Sequence, residues 1–231
     1  MINGLKFDLR IYVVVTSIEP LRIYIYNEGL TRFATEKYKL SDCKVNRFAH
    51  LTNYSVNKKN ENFVNNKCVE EDGKGYKWSI SSLFKHFDSI EIDAELLWSR
   101  IYDIIIKSII SGEATISQAL KKLTSHHNNC FELFGYDILI DSELKPWLIE
   151  INLTPSLACE SPLDFQIKSN LIADTFSLIG VQPFDRKRDG FYRQRMDVLS
   201  GLRSDLSSQI GMSARDNMTN AVIHARLKVV Y

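Results

Sequence analysis

The sequence predicts an α+β fold: an antiparallel sheet with helices packed on it. Three observations lead there. The first 35 residues read as strands that return on themselves, residues 131–152 read as a second hairpin, and the stretches between and after them carry apolar residues at helical spacing.

Lys6 to Thr16 (KFDLRIYVVVT) is β-branched and aromatic with no Gly or Pro inside, a strand. Pro20 breaks it, and Leu21 to Tyr26 alternates as a second strand. Asn27-Glu28-Gly29 signals a turn, and Leu30 to Thr35 returns as a third strand, which completes a meander. Ser41 to Gly75 is polar and weakly periodic; a loop of this length inside a domain is usually functional or disordered. Ser79 to Phe87 and Asp93 to Ser111 read as helices. The second has a stripe of Leu97, Ile101, Ile104, Ile105 and Ile109 and ends at Gly112, with a further short helix over Ala114 to Leu123. Phe131 to Ile140 and Trp147 to Asn152 are strands joined by a turn at Asp141 to Leu144, and Asp164 to Ile179 is a helix closed by Gly180. Residues 1–183 thus form the main domain. Residues 184–231 form a basic, mostly helical or partly disordered extension, with helices expected around Arg195 to Leu206 and near the end.

Composition narrows the function classes. With 45% apolar and 25% charged residues the chain is an ordinary globular protein able to bury a core. A net charge of +1 gives no bulk electrostatic reason to expect a nucleic-acid partner. The charge is uneven: from Asp185 onward nine Lys and Arg stand against five Asp. Cys43, Cys68, Cys130 and Cys159 form no CxxC pair and no zinc-ligand spacing, so reduced thiols of a cytosolic protein are expected. No signal-peptide pattern and no apolar run of membrane-spanning length is present, and no membrane partner is expected.

The strongest chemical signal is the hairpin. With its turn at Ser142 to Leu144, Asp137 falls opposite Glu150, and Asn152 shares the face of Glu150. Two carboxylates and a carboxamide are hard oxygen donors that suit Mg²⁺. On an exposed face the same residues would be solvated acids. The flanking Ile138, Ile140, Trp147, Leu148, Ile149 and Ile151 suggest instead a buried sheet, where unpaired acids are costly. In the first strand Lys6, Asp8 and Arg10 alternate with Phe7, Leu9 and Ile11, and Arg32 lies in the same meander. Such cations suit phosphate and carboxylate groups, although an amphipathic edge strand with ion pairs along itself shows the same pattern. His50 to Ser55 is a polar segment of the long loop with nothing physical to single it out. His126 and His127 have no ligand-type neighbours and read as solvated loop. No GxGxxG or GxxxxGK[ST] phosphate loop occurs.

Taken together, KFDLRIYVVVTS (6–17), PLRIYIYNEGLTRFATEKY (20–38), NRFAHLTNYSVNKKN (46–60), KWS (77–79), CFELFGYDILIDSELKPWLIEINLTPSLACESPLD (130–164) and IK (167–168) resemble the tubulin-tyrosine-ligase-like family, a branch of the ATP-grasp superfamily. These blocks cover nearly all of residues 6 to 180, and FGYDILID…KPWLIEINLTPSL is the most specific of them. HLTNYSVNKKN and SLACESPLD look most like the polyglutamylase branch.

The resemblance implies an ATP-grasp-like region that uses ATP and Mg²⁺ to add free L-glutamate to glutamate side chains of tubulin through an acyl phosphate. It also implies work in the cytoplasm on microtubules of the cytoskeleton, including those of cilia and basal bodies. By motif position it implies Asp137, Glu150 and Asn152 as metal ligands, Lys6, Asp8, Thr52 and Asn53 at the nucleotide, Arg10 and Arg32 as catalytic cations near the phosphoryl group, and Arg32 and His50 at the substrate. Relatives carry further phosphate- and adenine-gripping segments ahead of the KFDLR strand, so the nucleotide site is expected to be incomplete in this chain. Glycine or tyrosine ligation, or a non-catalytic tubulin-binding remnant, are the competing expectations.

Overall fold

A computed structural model describes residues 1–39, 46–63, 68–123, 130–180 and 227–229. Its element order is β1 (Leu5–Ile18), β2 (Leu21–Lys37), α1 (Arg47–His50), α2 (Tyr54–Asn57), β3 (Lys77–Ser79), α3 (Ile80–Ser89), α4 (Ala94–Leu123), β4 (Glu132–Ile140), β5 (Pro146–Asn152), α5 (Pro162–Ile179) and β6 (Leu227–Val229). The sheet is antiparallel in every pairing and runs β3-β2-β1-β4-β5, with β6 also on β2. The α+β expectation holds.

Strand alternation places the core. The odd residues of β1, from Phe7 through Leu9, Ile11 and Val13 to Val15, are buried with Leu83 and Phe87 of α3 and Leu97, Ile101 and Ile105 of α4. The even face carries Asp8, Arg10 and Tyr12, and Tyr12 packs with Leu163, Ile167 and Leu171 of α5. Helices therefore cover both faces of the sheet, one layer dry and the other partly polar. Among the described residues no helix is long and apolar enough to cross a membrane.

Several elements differ from expectation. The second and third strands are one strand, β2, and Asn27–Gly29 lies in a bulge rather than a turn. There a single β1 residue, Tyr12, is spanned by three of β2, because Ile11 pairs with Gly29 and Val13 with Ile25. The bulge is held from outside: Glu28 Oε1 accepts from the backbone N–H of Gly29, Ile80 and Ser81 at 2.8–3.2 Å, which caps the start of α3. The two helices expected on either side of Gly112 are the single 30-residue α4. A glycine alone costs a helix only about 1 kcal/mol, and ends one when it adopts the left-handed conformation. Gly180 does so, with φ of 71°, and closes α5. The long loop contains α1, α2 and a 3₁₀ turn at Val69–Glu71. Residues 227–229 form a strand where a terminal helix was expected. The helix expected around Arg195 to Leu206, together with Cys43, His126 and His127, lies outside the described residues.

The hairpin register is as expected, with Asp137 opposite Glu150. Its burial is not. β5 is the edge of the sheet, and Trp147, Ile149 and Ile151 are 47, 59 and 40% exposed, so the apolar run does not mark a buried strand.

Candidate functional site

Pairing of β1 with β4 brings together residues 127 apart. Arg10 and Asp137 are register partners, and the guanidinium grips the carboxylate twice: Nε to Oδ1 at 2.5 Å and Nη2 to Oδ2 at 3.1 Å. Arg32, the register partner of Asp8 on β2, grips Asp8 through Nε at 2.9 Å and through Nη2, which also reaches Asp137 Oδ2 at 2.8 Å. Asp8, Arg32, Asp137 and Arg10 thus form one buried chain of alternating charge. β1 is a central strand and its ion pairs run across strands, so the alternative of an edge strand paired along itself does not apply.

The electrostatics follow from the pairing. Burial by itself would push the Asp137 carboxyl up, but hydrogen bonds and charge from Arg10 and Arg32 outweigh it and hold the group below the ordinary carboxylate value. Burial would likewise lower Arg32, yet Asp8 and Asp137 hold it well above its usual value. Gly135 is part of the same construction. A Cβ there would meet Pro155 at 2.7 Å and the Arg10 stem at 3.3 Å, so glycine lets Pro155 pack against β4 beside Arg10.

The loop that carries His50 to Asn53 is tied to this face. Lys6 Nζ donates to the His50 carbonyl at 2.8 Å. Asn57, 1% exposed, accepts from Thr35 N and Oγ1 and donates to the Leu51 and Asn53 carbonyls. Asn46 and Asn60 both donate to Glu36. The result is a cleft of about 170 Å³ where Lys6, Asp8, His50, Thr52, Asn53 and Glu150 meet beside Asp137. His50 Nε2 is buried with no hydrogen-bond partner. Seven of the ten residues named from sequence line this one cleft, and Arg10, Arg32 and Asn152 adjoin it through direct bonds to Asp137, Asp8 and Glu150.

The donor set suits a hard cation. Asn152 Nδ2 donates to Glu150 Oε1 at 3.1 Å and to the Gly135 carbonyl at 3.3 Å, so these bonds engage its nitrogen and not its oxygen, the atom that would serve as a hard donor. Glu150 is exposed at the sheet edge, and Asp137 is held ionised with lone pairs beyond those its arginines use. Two carboxylates and a carboxamide match Mg²⁺, which also takes phosphate oxygens and water. Among the described residues no group of three or more His, Cys, Asp or Glu is placed to hold a metal ion, so the candidate set rests on two carboxylates and the Asn152 carboxamide.

On the far side of the Arg10–Asp137 pair lies a second cleft, of about 270 Å³, that sequence reasoning missed. Lys77, the register partner of Arg32, reaches Asp164 Oδ2 at 2.7 Å. Asp164 is buried in the first turn of α5, and Lys168 one turn later donates to the Ala158 carbonyl at 2.5 Å. The sequence signal was the SPLD…IK block, which carried the resemblance but received no role.

A sheet face that sets paired arginines and carboxylates between two polar clefts has the charge and hydrogen-bonding groups that suit acidic and phosphate-bearing ligands. The chain belongs to the tubulin-tyrosine ligase family, whose model matches residues 1–189. It is 49% identical over 181 residues to tubulin polyglutamylase TTLL5 of Homo sapiens, covering 78% of this chain and 14% of that protein. Tubulin monoglutamylase TTLL4 of Mus musculus is 46% identical over 181 residues, and a probable beta-tubulin polyglutamylase of Tetrahymena thermophila 45% over 188; each alignment covers 78% of this chain and 15% of the relative. The chain therefore spans about a seventh of the length of these curated relatives.

Proposed function

We propose that this chain forms the carboxylate- and metal-handling part of an ATP-dependent ligase with an ATP-grasp-like site, which adds glutamate to glutamate side chains of tubulin on cytoplasmic and ciliary microtubules. The observation that carries the reading is the buried Asp8–Arg32–Asp137–Arg10 chain running beside a cleft lined by Lys6, His50, Thr52 and Asn53. The names of the relatives, which are glutamylases, support glutamate as the amino acid.

In this reading Lys6, Asp8, Thr52 and Asn53 hold the nucleotide, and Asp137, Glu150 and Asn152 hold Mg²⁺. The metal, when bound, neutralises phosphate charge. An acceptor carboxylate oxygen bonds to the γ-phosphorus as the bond to ADP breaks, giving an acyl phosphate. The amine of free glutamate then bonds to the acyl carbon, inorganic phosphate leaves, and the nitrogen releases a proton. Arg10 and Arg32 are preorganised by their aspartates to face the oxygens on which charge develops. His50, which lines the same cleft, is placed on its substrate side.

The test uses the longest polypeptide the gene encodes, incubated with microtubules, ATP, Mg²⁺ and labelled glutamate, glycine or tyrosine in parallel. Glutamate incorporation that requires ATP is the expected result. Incorporation of glycine or tyrosine instead would reassign the amino acid, and microtubule binding with no incorporation would mark a non-catalytic tubulin-binding remnant.

A further inference from the structure

On the opposite face of the sheet from the polar clefts, a cavity of about 520 Å³ lies between Ile109, Ile116 and Leu120 of α4 and Phe134, Tyr136 and Ile151 of β4 and β5. Tyr136 and Ile151 line it, while their chain neighbours Asp137 and Glu150 line the 170 Å³ cleft, so the sheet separates the two.

Three features that a packed core would not choose meet in this cavity. Gly112 stands on its wall in the interior of α4. A Cβ there would meet no side chain closer than Ile116 Cδ1 at 3.7 Å, so alanine would fit and would strengthen the helix. Glycine at this place leaves the cavity open and gains the helix nothing. Ser17, 4% exposed, is also on the wall, and its Oγ has no hydrogen-bond partner among the described residues. Alanine would avoid the cost of that buried, unpaired hydroxyl. Phe131 and Ile151, which line the cavity too, remain 44 and 40% exposed.

The dimensions decide the shape of an occupant. The volume is that of a small-molecule site. Ile105 and Ile109 already pack α4 into the core on the sheet, so a second helix, about 10–12 Å across, does not fit between them. An extended hydrocarbon chain does. The polar groups decide its end. Ser17 offers a hydroxyl hydrogen. Glu132, the register partner of Val15 and two residues along the sheet from Ser17, offers carboxylate acceptors to the same cavity. A ligand hydroxyl can accept from the one and donate to the other. A ligand carboxylate would be repelled by Glu132, and Lys121, next to Leu120 on the wall, is already bound to Glu19 at 2.7 Å.

We propose that this cavity is a binding site for a neutral aliphatic alcohol: the chain lies between α4 and the sheet over Gly112, and its hydroxyl bonds to Ser17 and Glu132. The inference does not depend on the ligase reading.

The test uses the longest polypeptide the gene encodes, with dodecanol and dodecanoate as probes. Binding is read by thermal shift and by the rate at which N-ethylmaleimide labels Cys130, an exposed thiol on the cavity wall, with the exposed Cys159 as the internal control. Dodecanol should raise the melting temperature and slow the labelling of Cys130 but not of Cys159. Dodecanoate should bind about tenfold more weakly, through repulsion by Glu132. Gly112→Leu fills the cavity and should weaken dodecanol binding at least about tenfold, while its own melting temperature is equal to wild type or higher. Ser17→Ala should weaken it about fivefold, the scale of one hydrogen bond. No thermal shift with dodecanol, equal protection of Cys159, or unchanged binding in Gly112→Leu overturns the proposal. Dodecanoate binding as tightly as dodecanol overturns the ligand class and with it the proposal. If Gly112→Leu melts below wild type, Ser17→Ala decides: an unmoved affinity for dodecanol sinks the site.

Discussion

The two faces of β1 are both buried, and they do opposite things. On the odd face Leu9, Ile11 and Val13 are wholly buried in an apolar core shared with α3 and α4. On the even face Asp8 is 7% exposed and Tyr12 not at all, and each polar group is met by another polar group or left unmet. One strand with a period of two therefore separates apolar core residues from charged and polar ones at a spacing of one residue. The dry face tolerates any filling of the right shape. The polar face is stable only while its charges stay matched, which makes it a well-ordered frame for charged ligands and a fragile one.

Asp137→Ala should break the comparison most severely. It takes away the carboxylate that Arg10 grips and leaves Arg32 with Asp8 alone in the network, and removing one partner of a buried ion pair typically costs about 3–5 kcal/mol. Urea denaturation followed by tryptophan fluorescence would show it as a lower midpoint. Leu9→Ala should cost a similar or smaller amount, about 2–5 kcal/mol, through the cavity it leaves. The two should then separate in function: Leu9→Ala retains activity per folded molecule and Asp137→Ala does not.

Arg10→Lys sharpens the same contrast at smaller cost. Lysine keeps the charge but cannot make the two parallel bonds to Asp137, so stability should fall by about 1 kcal/mol while kcat falls about tenfold or more. If turnover matched wild type, Arg10 would be a structural ion pair only.

The acid limb of stability is the mildest probe. The Asp137 carboxyl is held below its ordinary value, so its contribution is present above the unfolded pKa of about 4 and is lost as pH falls through the lower folded value. Thermal melts of wild type should therefore drop below about pH 4, and Asp137→Asn should flatten that drop.

How much of this was legible depends on how local each signal was. The Asp137–Glu150 register could be read because a short turn fixes a hairpin, and both residues lie within one segment of 22 residues, 131–152. The Arg10–Asp137 pair could not, since nothing in either segment states that β1 and β4 are neighbours. Trp147 to Ile151 was read as buried because a short apolar run looks the same at the centre and at the edge of a sheet. Asn27-Glu28-Gly29 has turn chemistry, and a bulge uses that same chemistry. The anchoring of His50 to Asn53 depends on Asn57, one asparagine among many in a polar loop, whose role appears only once Thr35 is beside it.

The claim that the polar face is the reacting face is tested most directly by Glu150→Gln. Glu150 is exposed and makes no ion pair among the described residues, so the substitution should leave the melting temperature unchanged. ATP-dependent incorporation of labelled glutamate into microtubules should fall by about 10²-fold or more, the scale of losing one anionic contact that supports transition-state charge. Near-normal incorporation at an unchanged melting temperature would contradict the account, because the carboxylate opposite Asp137 would then play no part in the chemistry.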